Sequence, residues 1–591
     1  MRSTALFSKI FITLTGASLV ALAGYLVHTP EAEACGCFAP PDPSVQIVQG
    51  GERIVFAMED GNVKAHIQIQ YSGDAEEFAW LVPLPAIPEV GVGTDELFTQ
   101  IIRTTQPRYR LTRQFEGNCP FDPNRGGFGG GIPDSANDGG AESPAPAEPG
   151  SPLIVRDLVG PYDFAVLSAE SKDAMLEWLN TEQFFVPAGT DDAVDPYIRP
   201  GAYFLALKLR KDQAVGVGDL QPVTLTYQSE LPMIPIVLTS VAADPDMPVL
   251  VWVMGESRAI PRNFFHTRIN DAQLDWVNAA SNYVDVVTRA VDEANGHHSF
   301  VTEYAGTSSV MREVLDYPGR FGNMAQLALI TDAVDYVRFL RDNGFPTVGN
   351  NGFGFSFSSQ VIGILQRHLP MPTALVESGI VTPGEYYISF DYYVGDFRLR
   401  NPELFVGLDL TFDPAELTAE LQERVVAPTL EAGQMFRDHP YMSRLFTTMS
   451  PDEMTKDPVF SFNPDLPEVS NDHNATLTYY CGVINHGKSQ AETAAQLVTE
   501  QGWRLFFPNG TGENDWLDVP MPASLETQIL REEGDPEVVG NNDDAIEASI
   551  NDFRKPRGSG GCQVASGTGN GGALALAFLA LFAAVVRRRR I

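Results

Sequence analysis

The 591-residue chain has few basic residues for its size. It contains 40 Lys and Arg against 76 Asp and Glu, which gives a formal net charge of −36 at pH 7. A surface this acidic repels the phosphates of nucleic acids and the headgroups of anionic lipids, so neither is expected as a partner. The acidic residues have two interpretations. They form a solvated surface, or Asp-rich loops among them bind calcium, which prefers carboxylate ligands.

Motifs that would mark a common enzyme class are also missing. The sequence has no phosphate-binding loop and no dinucleotide fingerprint. Residues 354–358 lack the Gly-x-Ser-x-Gly order of a hydrolase elbow, because Ser358 stands where the second glycine is required. Residues 244–246 and 509–515 are rich in side-chain oxygens but do not have the spacing of a known calcium loop. We therefore expect no catalytic residues and no cofactor, with calcium as the one alternative.

Cysteine is scarce, with five residues in the chain. Four of them remain once Cys562 is assigned to the C-terminal tail, an even number that indicates disulfides in an exported protein and allows three connectivities. The four candidates are Cys35, Cys37, Cys119 and Cys481. The alternative is a cysteine hydrolase, since Cys481 and His486 place a thiol and an imidazole five residues apart.

Histidines offer one candidate metal site. His297 and His298 follow a predicted helix end, and together with His266 and Glu303 they could ligate a metal ion. Adjacent histidines in extended backbone point in opposite directions, however, and histidines at helix ends usually serve as polar caps. These residue types do not select one metal ion, so its identity is unknown.

Alternating side chains predict the central sheet. In residues 63–71 the apolar side chains fall on one face and the polar ones on the other, which indicates a strand with one buried and one wet face. The polar set is Lys64, His66, Gln68 and Gln70. Asp60-Gly61 predicts a tight turn to a strand at 53–58, and the apolar run 78–84 predicts a strand buried on both faces.

The later segments add helices to this sheet. Residues 94–105, 281–295 and 331–343 have helical periodicity, and Asp413-Pro-Ala-Glu416 is a helix start followed by a break or kink at Pro428. Residues 450–453 repeat that capping pattern, and 223–227, 234–240 and 249–254 predict strands. The predicted class is α+β, with a mostly antiparallel sheet core, packed helices and a C-terminal half that is richer in helix.

Both ends of the chain carry export signals. Arg2 and Lys9 precede an apolar run over residues 10–27, and the small residues around Ala34 predict signal-peptide cleavage between Ala34 and Cys35. At the other end, residues 571–586 are apolar and are followed by four arginines, which would stay on the cytoplasmic side of a membrane. The alternatives are an uncleaved N-terminal helix, a lipoprotein with its lipid at Cys35 and an ordinary C-terminal anchor.

Several segments resemble a known bacterial family, the domain-of-unknown-function family 2330. The likeness lies in Cys35-Gly-Cys37, Arg53-Ile-Val-Phe56, Ala65-His-Ile-Gln-Ile-Gln-Tyr71, Phe78-Ala-Trp-Leu-Val-Pro83, Ile234-Pro235, Val249-Leu-Val-Trp-Val253 and Phe300-Val-Thr-Glu-Tyr-Ala305. The family implies an envelope location and supplies no activity and no catalytic residues. The Gly-Gly-Cys562 segment, its Gly-rich spacer, the apolar run and the arginines resemble the MYXO-CTERM sorting signal, which implies cleavage near Cys562 and transfer to the cell surface.

These features divide the chain as follows: a signal peptide at 1–34, a β-rich domain at 35–372 with a disordered loop at 117–152, an α+β region at 373–534, a flexible linker at 535–561 and a sorting tail at 562–591. The expected partners are the export machinery with its signal peptidase, a C-terminal sorting protease and, before processing, the inner membrane. We predict an exported protein of the cell surface or outer membrane with a structural or binding role, its ligand unknown. The alternatives are the hydrolase using Cys481 and His486 and a calcium-dependent surface adhesin.

Overall fold

The computed structural model describes most of the chain between residues 48 and 553. The described residues are 48–72, 79–117, 152–182, 184, 190–209, 221–241, 243–350, 354–481, 493–508 and 516–553. The predicted signal peptide and the predicted sorting tail lie outside them, as do His486, every cysteine except Cys481 and nearly all of the predicted loop at 117–152. Within the described residues, no helix combines the length and the apolarity that a membrane span requires.

The strands assemble into one large sheet and several small ones. In the order β22-β21-β12-β13-β16-β10-β1-β2-β9-β4, ten strands form the large sheet, and two further sheets of four strands have the orders β3-β8-β7-β6 and β20-β19-β18-β5. Most neighbours are antiparallel; β1–β10, β12–β13 and β5–β18 are parallel. The strands are β1 Val48–Glu59, β2 Asn62–Ser72, β3 Ala79–Leu84, β4 Glu89–Val92, β5 Arg108–Gly117, β6 Leu153–Val159, β7 Tyr162–Ser168, β8 Tyr203–Leu209, β9 Val223–Gln228, β10 Met247–Gly255, β11 Arg258–Pro261, β12 Phe265–Ile269, β13 Ser299–Thr307, β14 Thr347–Asn350, β15 Gly354–Phe357, β16 Tyr441–Met449, β17 Phe460–Asn463, β18 Asp472–Cys481, β19 Ala495–Val498, β20 Arg504–Phe507, β21 Ser524–Ile529 and β22 Glu537–Asn541.

The helices concentrate between β13 and β16, so the α+β class and the helix-rich C-terminal half are confirmed. They are α1 Asp95–Thr105, α2 Lys172–Thr181, α3 Thr190–Val194, α4 Ile236–Thr239, α5 Tyr283–Asp292, α6 Met324–Leu327, α7 Ala333–Asp342, α8 Ser359–His368, α9 Thr373–Ser378, α10 Pro383–Ile388, α11 Phe390–Tyr392, α12 Arg398–Arg400, α13 Pro414–Leu421, α14 Ala427–Asp438 and α15 Asp543–Phe553.

The predicted solvated face of the central sheet is wrong. Ile54 and Phe56 of β1 pack toward the four-stranded sheet that contains β3, while Val55 and Ala57 on the opposite face pack against α1 and α14. Because those helices cover the second face, His66 is only 1% exposed. The large sheet is therefore a middle layer with apolar packing on both sides.

Two local predictions also fail, for reasons visible in the backbone. The segment 234–240 forms the short helix α4 rather than a strand, and it begins directly after Pro235, whose fixed φ suits a helix start. Residues 450–453 form a turn rather than a helix, in which the backbone N–H of Ser450 donates to Glu453 Oε2 at 2.8 Å. The capping chemistry is present there, but no helix follows it.

The predicted break or kink of the helix at Pro428 is confirmed. Asp413 caps α13, and a π-helical turn, Gln422–Val426, separates that helix from α14. Proline has no N–H, so the carbonyl of Arg424, four residues earlier, loses its helical partner. That carbonyl instead accepts hydrogen bonds from the side-chain amides of Gln360 and Gln221. The kink is stabilised by side chains from distant parts of the chain.

The sheet crosses the boundary predicted at residue 372. Strand β16, at 441–449, is hydrogen-bonded on one side to β10 and on the other to β13. Strand β18 likewise pairs along its full length with β5, more than 350 residues earlier. The N-terminal and C-terminal segments are therefore joined in the same sheets.

Candidate functional site

A cleft of about 630 Å³ opens at the end of the large sheet where β12 and β13 meet β21. Its walls come from β5, β11, β12 and β13, from the start of β18, and from the loops at 467–469 and 500–501. A volume of this order is typical of small-molecule sites in proteins. The cleft contains His266 and Glu303, two of the residues that sequence reasoning singled out.

A hydrogen-bonded chain fixes the protonation of His266. Gln528 donates its amide to Glu526 at 2.8 Å, so its carbonyl oxygen faces His266 Nδ1 at 3.0 Å. His266 Nδ1 must then carry the proton, and Nε2 accepts from the hydroxyl of Thr302 at 3.0 Å. Burial, and then the charge of Arg258, lower the pKa of His266 to about 3. His266 is a neutral, fully engaged ring in the wall of the cleft.

Thr302, His266 and Gln528 have the order of a nucleophile, a base and an orienting group. A general base works best when its pKa lies near the operating pH, however, and a pKa of about 3 leaves His266 a very weak base. The Thr302 oxygen also accepts a hydrogen bond from Arg258 Nη2 at 3.4 Å, which makes the hydroxyl less nucleophilic. The geometry favours binding over catalysis.

Glu303 is a buried but neutralised carboxylate. The side chain is 4% exposed; Tyr283 donates its hydroxyl to Oε1 at 2.7 Å, and Arg444 forms an ion pair with Oε2. The Arg444 guanidinium also lies over the ring of Trp252 at 5.3 Å. Because both oxygens are engaged, Glu303 shapes the floor of the cleft rather than offering a free ligand.

Aromatic rings and a second buried carboxylate close the far end. Tyr109 stacks on His473 at 4.8 Å and meets Trp276 edge-on at 5.3 Å. Asp271 is 5% exposed, and its Oδ2 accepts from the backbone N–H of Gln501 at 2.8 Å. Burial raises the pKa of Asp271 to about 6. This end of the cleft is acidic and suits hydrogen-bond donors of a ligand.

Sequence reasoning missed Arg258, the residue that distinguishes the cleft. It starts the four-residue strand β11 and is 6% exposed. Nη1 donates to the carbonyl of Pro467 at 3.0 Å, while Nε has no hydrogen-bond partner among the described residues. The sequence around Arg258 carries no motif, because its hydrogen-bond partners Thr302 and Pro467 lie 44 and 209 residues further along the chain.

The predicted metal set is not brought together. Among the described residues, the group with three potential ligand atoms within 4.8 Å of one another is Asp292, His297 and Glu453. His297 Nδ1 lies 3.5 Å from Asp292 Oδ1 and 2.5 Å from Glu453 Oε1, and His298 Nε2 lies 2.9 Å from the Glu453 carbonyl. An imidazole with two carboxylates suits a zinc-like ion better than calcium, which prefers oxygen ligands.

Cys481 stands at the end of β18, and its sulfur is engaged. It is 3% exposed, lies opposite Gly117 in the parallel pairing with β5, and is not free. His486 lies outside the described residues, so the pairing of Cys481 with His486 in a hydrolase stays a prediction. A buried, engaged sulfur is nevertheless a poor nucleophile.

The family model "Uncharacterized protein conserved in bacteria (DUF2330)" matches residues 29–337, just over half of the chain. The chain belongs to this family. No curated protein and no solved structure matches it. The DUF2330 match contains Arg258, His266, Asp271, Thr302 and Glu303, while Gln528, His473 and the loop at 467–469 that complete the cleft lie beyond it.

Proposed function

We propose that this DUF2330 chain is an exported, cell-surface-tethered protein with a binding role, and that the cleft beside His266 and Arg258 is its ligand site. The observation that carries the proposal is the cleft itself: about 630 Å³, lined by the buried and hydrogen-bonded side chains of Arg258, His266, Asp271 and Glu303. Preorganised polar groups in a cavity of this size are the usual mark of a small-molecule site. The weak base at His266 favours binding over turnover.

Export and tethering rest on the sequence signals at the two ends. We propose cleavage after Ala34 and a sorting step at Cys562, with residues 571–586 as a temporary inner-membrane stop. We also propose disulfides among Cys35, Cys37, Cys119 and Cys481. Cys119 is two residues beyond Gly117, which pairs with Cys481, and this supports a Cys119–Cys481 bond.

Cell fractionation with mass spectrometry of both termini tests the export proposal. We expect the mature protein to begin at Cys35 and to lack residues 571–591, and we expect Cys562→Ala to leave the full-length precursor in the inner membrane. A Cys562→Ser variant is the matched control for the requirement of a thiol and should behave in the same way. If Cys562→Ala reached the surface with its tail removed, the cysteine would be incidental.

Thermal unfolding with a panel of small polar molecules tests the binding role. A ligand that occupies the cleft should raise the melting temperature in proportion to the logarithm of its concentration above Kd. The variant Val469→Trp, which fills part of the cleft, should abolish the rise. The control Val284→Trp, on an exposed position of α5 away from the cleft, should retain it. Equal shifts in both variants would place the ligand elsewhere.

The calcium-dependent adhesin is the second candidate, because the acidic composition and the oxygen-rich segments at 244–246 and 509–515 offer the ligands that calcium prefers. The same unfolding assay with calcium and with zinc separates the two functions. A large rise with calcium alone would favour the adhesin, whereas a response confined to organic ligands would favour the cleft.

A further inference from the structure

Arg258 differs from the other buried arginines in the described part of the chain. Arg424 pairs with Glu420 at 2.9 Å, and Arg444 pairs with Glu303. Arg258 is as deeply buried, at 6% exposed, yet no carboxylate of the described residues lies within 4 Å of its guanidinium. Buried guanidinium groups normally have an anionic partner, because removing the charge from water is costly.

The hydrogen bonds of Arg258 satisfy only part of its donor capacity. A guanidinium carries five N–H groups. The described residues accept two hydrogen bonds from it, at the carbonyl of Pro467 and the hydroxyl of Thr302, both neutral oxygens. Burial accordingly lowers the pKa of Arg258. The guanidinium protons that Pro467 and Thr302 leave unbound belong to a planar group whose fork geometry matches a carboxylate or a phosphate.

The other charges on the walls restrict what can reach this fork. The second arginine of the cleft, Arg268, already pairs with Glu526 at 3.0 Å, and His473 pairs with Glu500 at 2.8 Å. Asp271 and the exposed Glu468 add uncompensated negative charge along the walls. A polyanion would be repelled by these groups, whereas a small molecule with one acidic group at Arg258 and donors toward Asp271 would be accommodated.

We propose that the cleft binds a small organic anion whose single carboxylate or phosphate group is held by Arg258, with hydroxyl or amine donors of the same molecule facing Asp271. The inference rests on the proposed binding role and adds the chemical class of the ligand. The anion acts as the ionic partner of Arg258, in the way that Glu420 does for Arg424 and Glu303 does for Arg444. The acidic walls then select against larger polyanions.

Calorimetric titration of the mature protein with matched probes tests the ligand class. The carboxylate arm compares galacturonate with galactose, the phosphate arm compares glucose 6-phosphate with glucose, and acetate and inorganic phosphate test the acidic groups alone. We expect at least one anion to bind and its neutral counterpart to bind at least tenfold more weakly. Arg258→Met should weaken the anion at least tenfold, and Arg258→Lys should fall between Met and the parent.

Arg338→Met is the control, since it removes an exposed arginine of α7 that pairs with Asp335 and does not line the cleft, and it should change affinity by less than threefold. Neutral sugars that bind equally well to the parent and to Arg258→Met would overturn the anion inference while leaving the binding role intact. Failure of every anion to bind the parent would overturn the inference, whatever the stability of the variant. Anion binding that survives in a folded Arg258→Met would overturn it as well.

Discussion

Replacing His66 with leucine is expected to raise the free energy of unfolding by about 1–2 kcal/mol at neutral pH, and by considerably more in acid. His66 lies on β2 beneath the helical layer and is 1% exposed. Neither ring nitrogen has a hydrogen-bond partner among the described residues. Leucine removes two buried polar atoms and fills a similar volume, so the folded state loses little packing.

The acid effect follows from the protonation of His66. Burial, and then the charge of Lys64, lower the pKa of the ring to about 3, against 6.5 in its unperturbed state. The folded state therefore keeps the ring neutral while the unfolded state protonates it below pH 6.5. The stability present above pH 6.5 is lost as the pH falls from 6.5 toward 3, at about 1.4 kcal/mol for each pH unit.

Urea unfolding of the parent and of His66→Leu at pH 7.0, 6.0 and 5.0 measures this loss as a difference. Other titrating groups, including Asp271 with its raised pKa, act alike in both proteins and cancel. The gap between the two free energies should widen by about 1–2 kcal/mol between pH 6 and pH 5. Gln68→Leu, a buried substitution two residues along the strand, should show a gap that does not depend on pH. A constant gap for His66→Leu would mean that the ring is not held neutral.

Arg444→Met is expected to lower the free energy of unfolding by about 3–5 kcal/mol, because it leaves the buried carboxylate of Glu303 without its ionic partner. The two side chains are 8% and 2% exposed. Arg444 also contacts Trp252 and donates from Nη1 to Thr105 Oγ1 at 3.3 Å, so α1 is coupled to the sheet through the same guanidinium. Urea unfolding at neutral pH measures the loss.

The double variant Arg444→Met with Glu303→Gln should recover more than half of that loss. The introduced glutamine would be neutral and would still accept the hydroxyl of Tyr283 through its amide oxygen. Arg338→Met, which breaks an exposed pair with Asp335 on α7, is the control and should cost less than about 0.5 kcal/mol. A cost below about 1 kcal/mol for Arg444→Met would show that the pair contributes little to the fold.

The strands near the N-terminus were predictable because their signals are local. The turn at Asp60-Gly61 and the alternation after it define β1 and β2, and the apolar run defines β3. The burial of His66 was not predictable, since α1 and α14 cover that face, and α14 begins about 360 residues later. The alternation of polar and apolar residues along a strand predicts which side chains share a face. It does not predict whether a helix from a distant part of the chain will cover the polar face.

The residues of the cleft also divide into those that the sequence indicated and those that only the three-dimensional structure reveals. His266 and Glu303 were predicted as possible metal ligands together with His297 and His298, and the structure places the first two in the lining of the cleft. Arg258 and Thr302 were not predicted as site residues. A buried arginine has no local sequence signature, and the lack of a carboxylate beside Arg258 is visible only in three dimensions. Gln528, which sets the tautomer of His266, lies 262 residues further along the chain.

The position of β16 constrains the order in which this chain can be completed. The chain leaves the export channel with its N-terminus first, in the proposed route, so β10 and β13 reach the far side well before residues 441–449. Until then, each presents an unpaired strand edge lined with apolar side chains, which is a template for association with other chains. A fragment that ends at residue 337, where the family match ends, would keep both edges permanently open. On the proposed export route, the chain therefore requires a chaperone, or rapid delivery of its last quarter, to shield those edges during the interval.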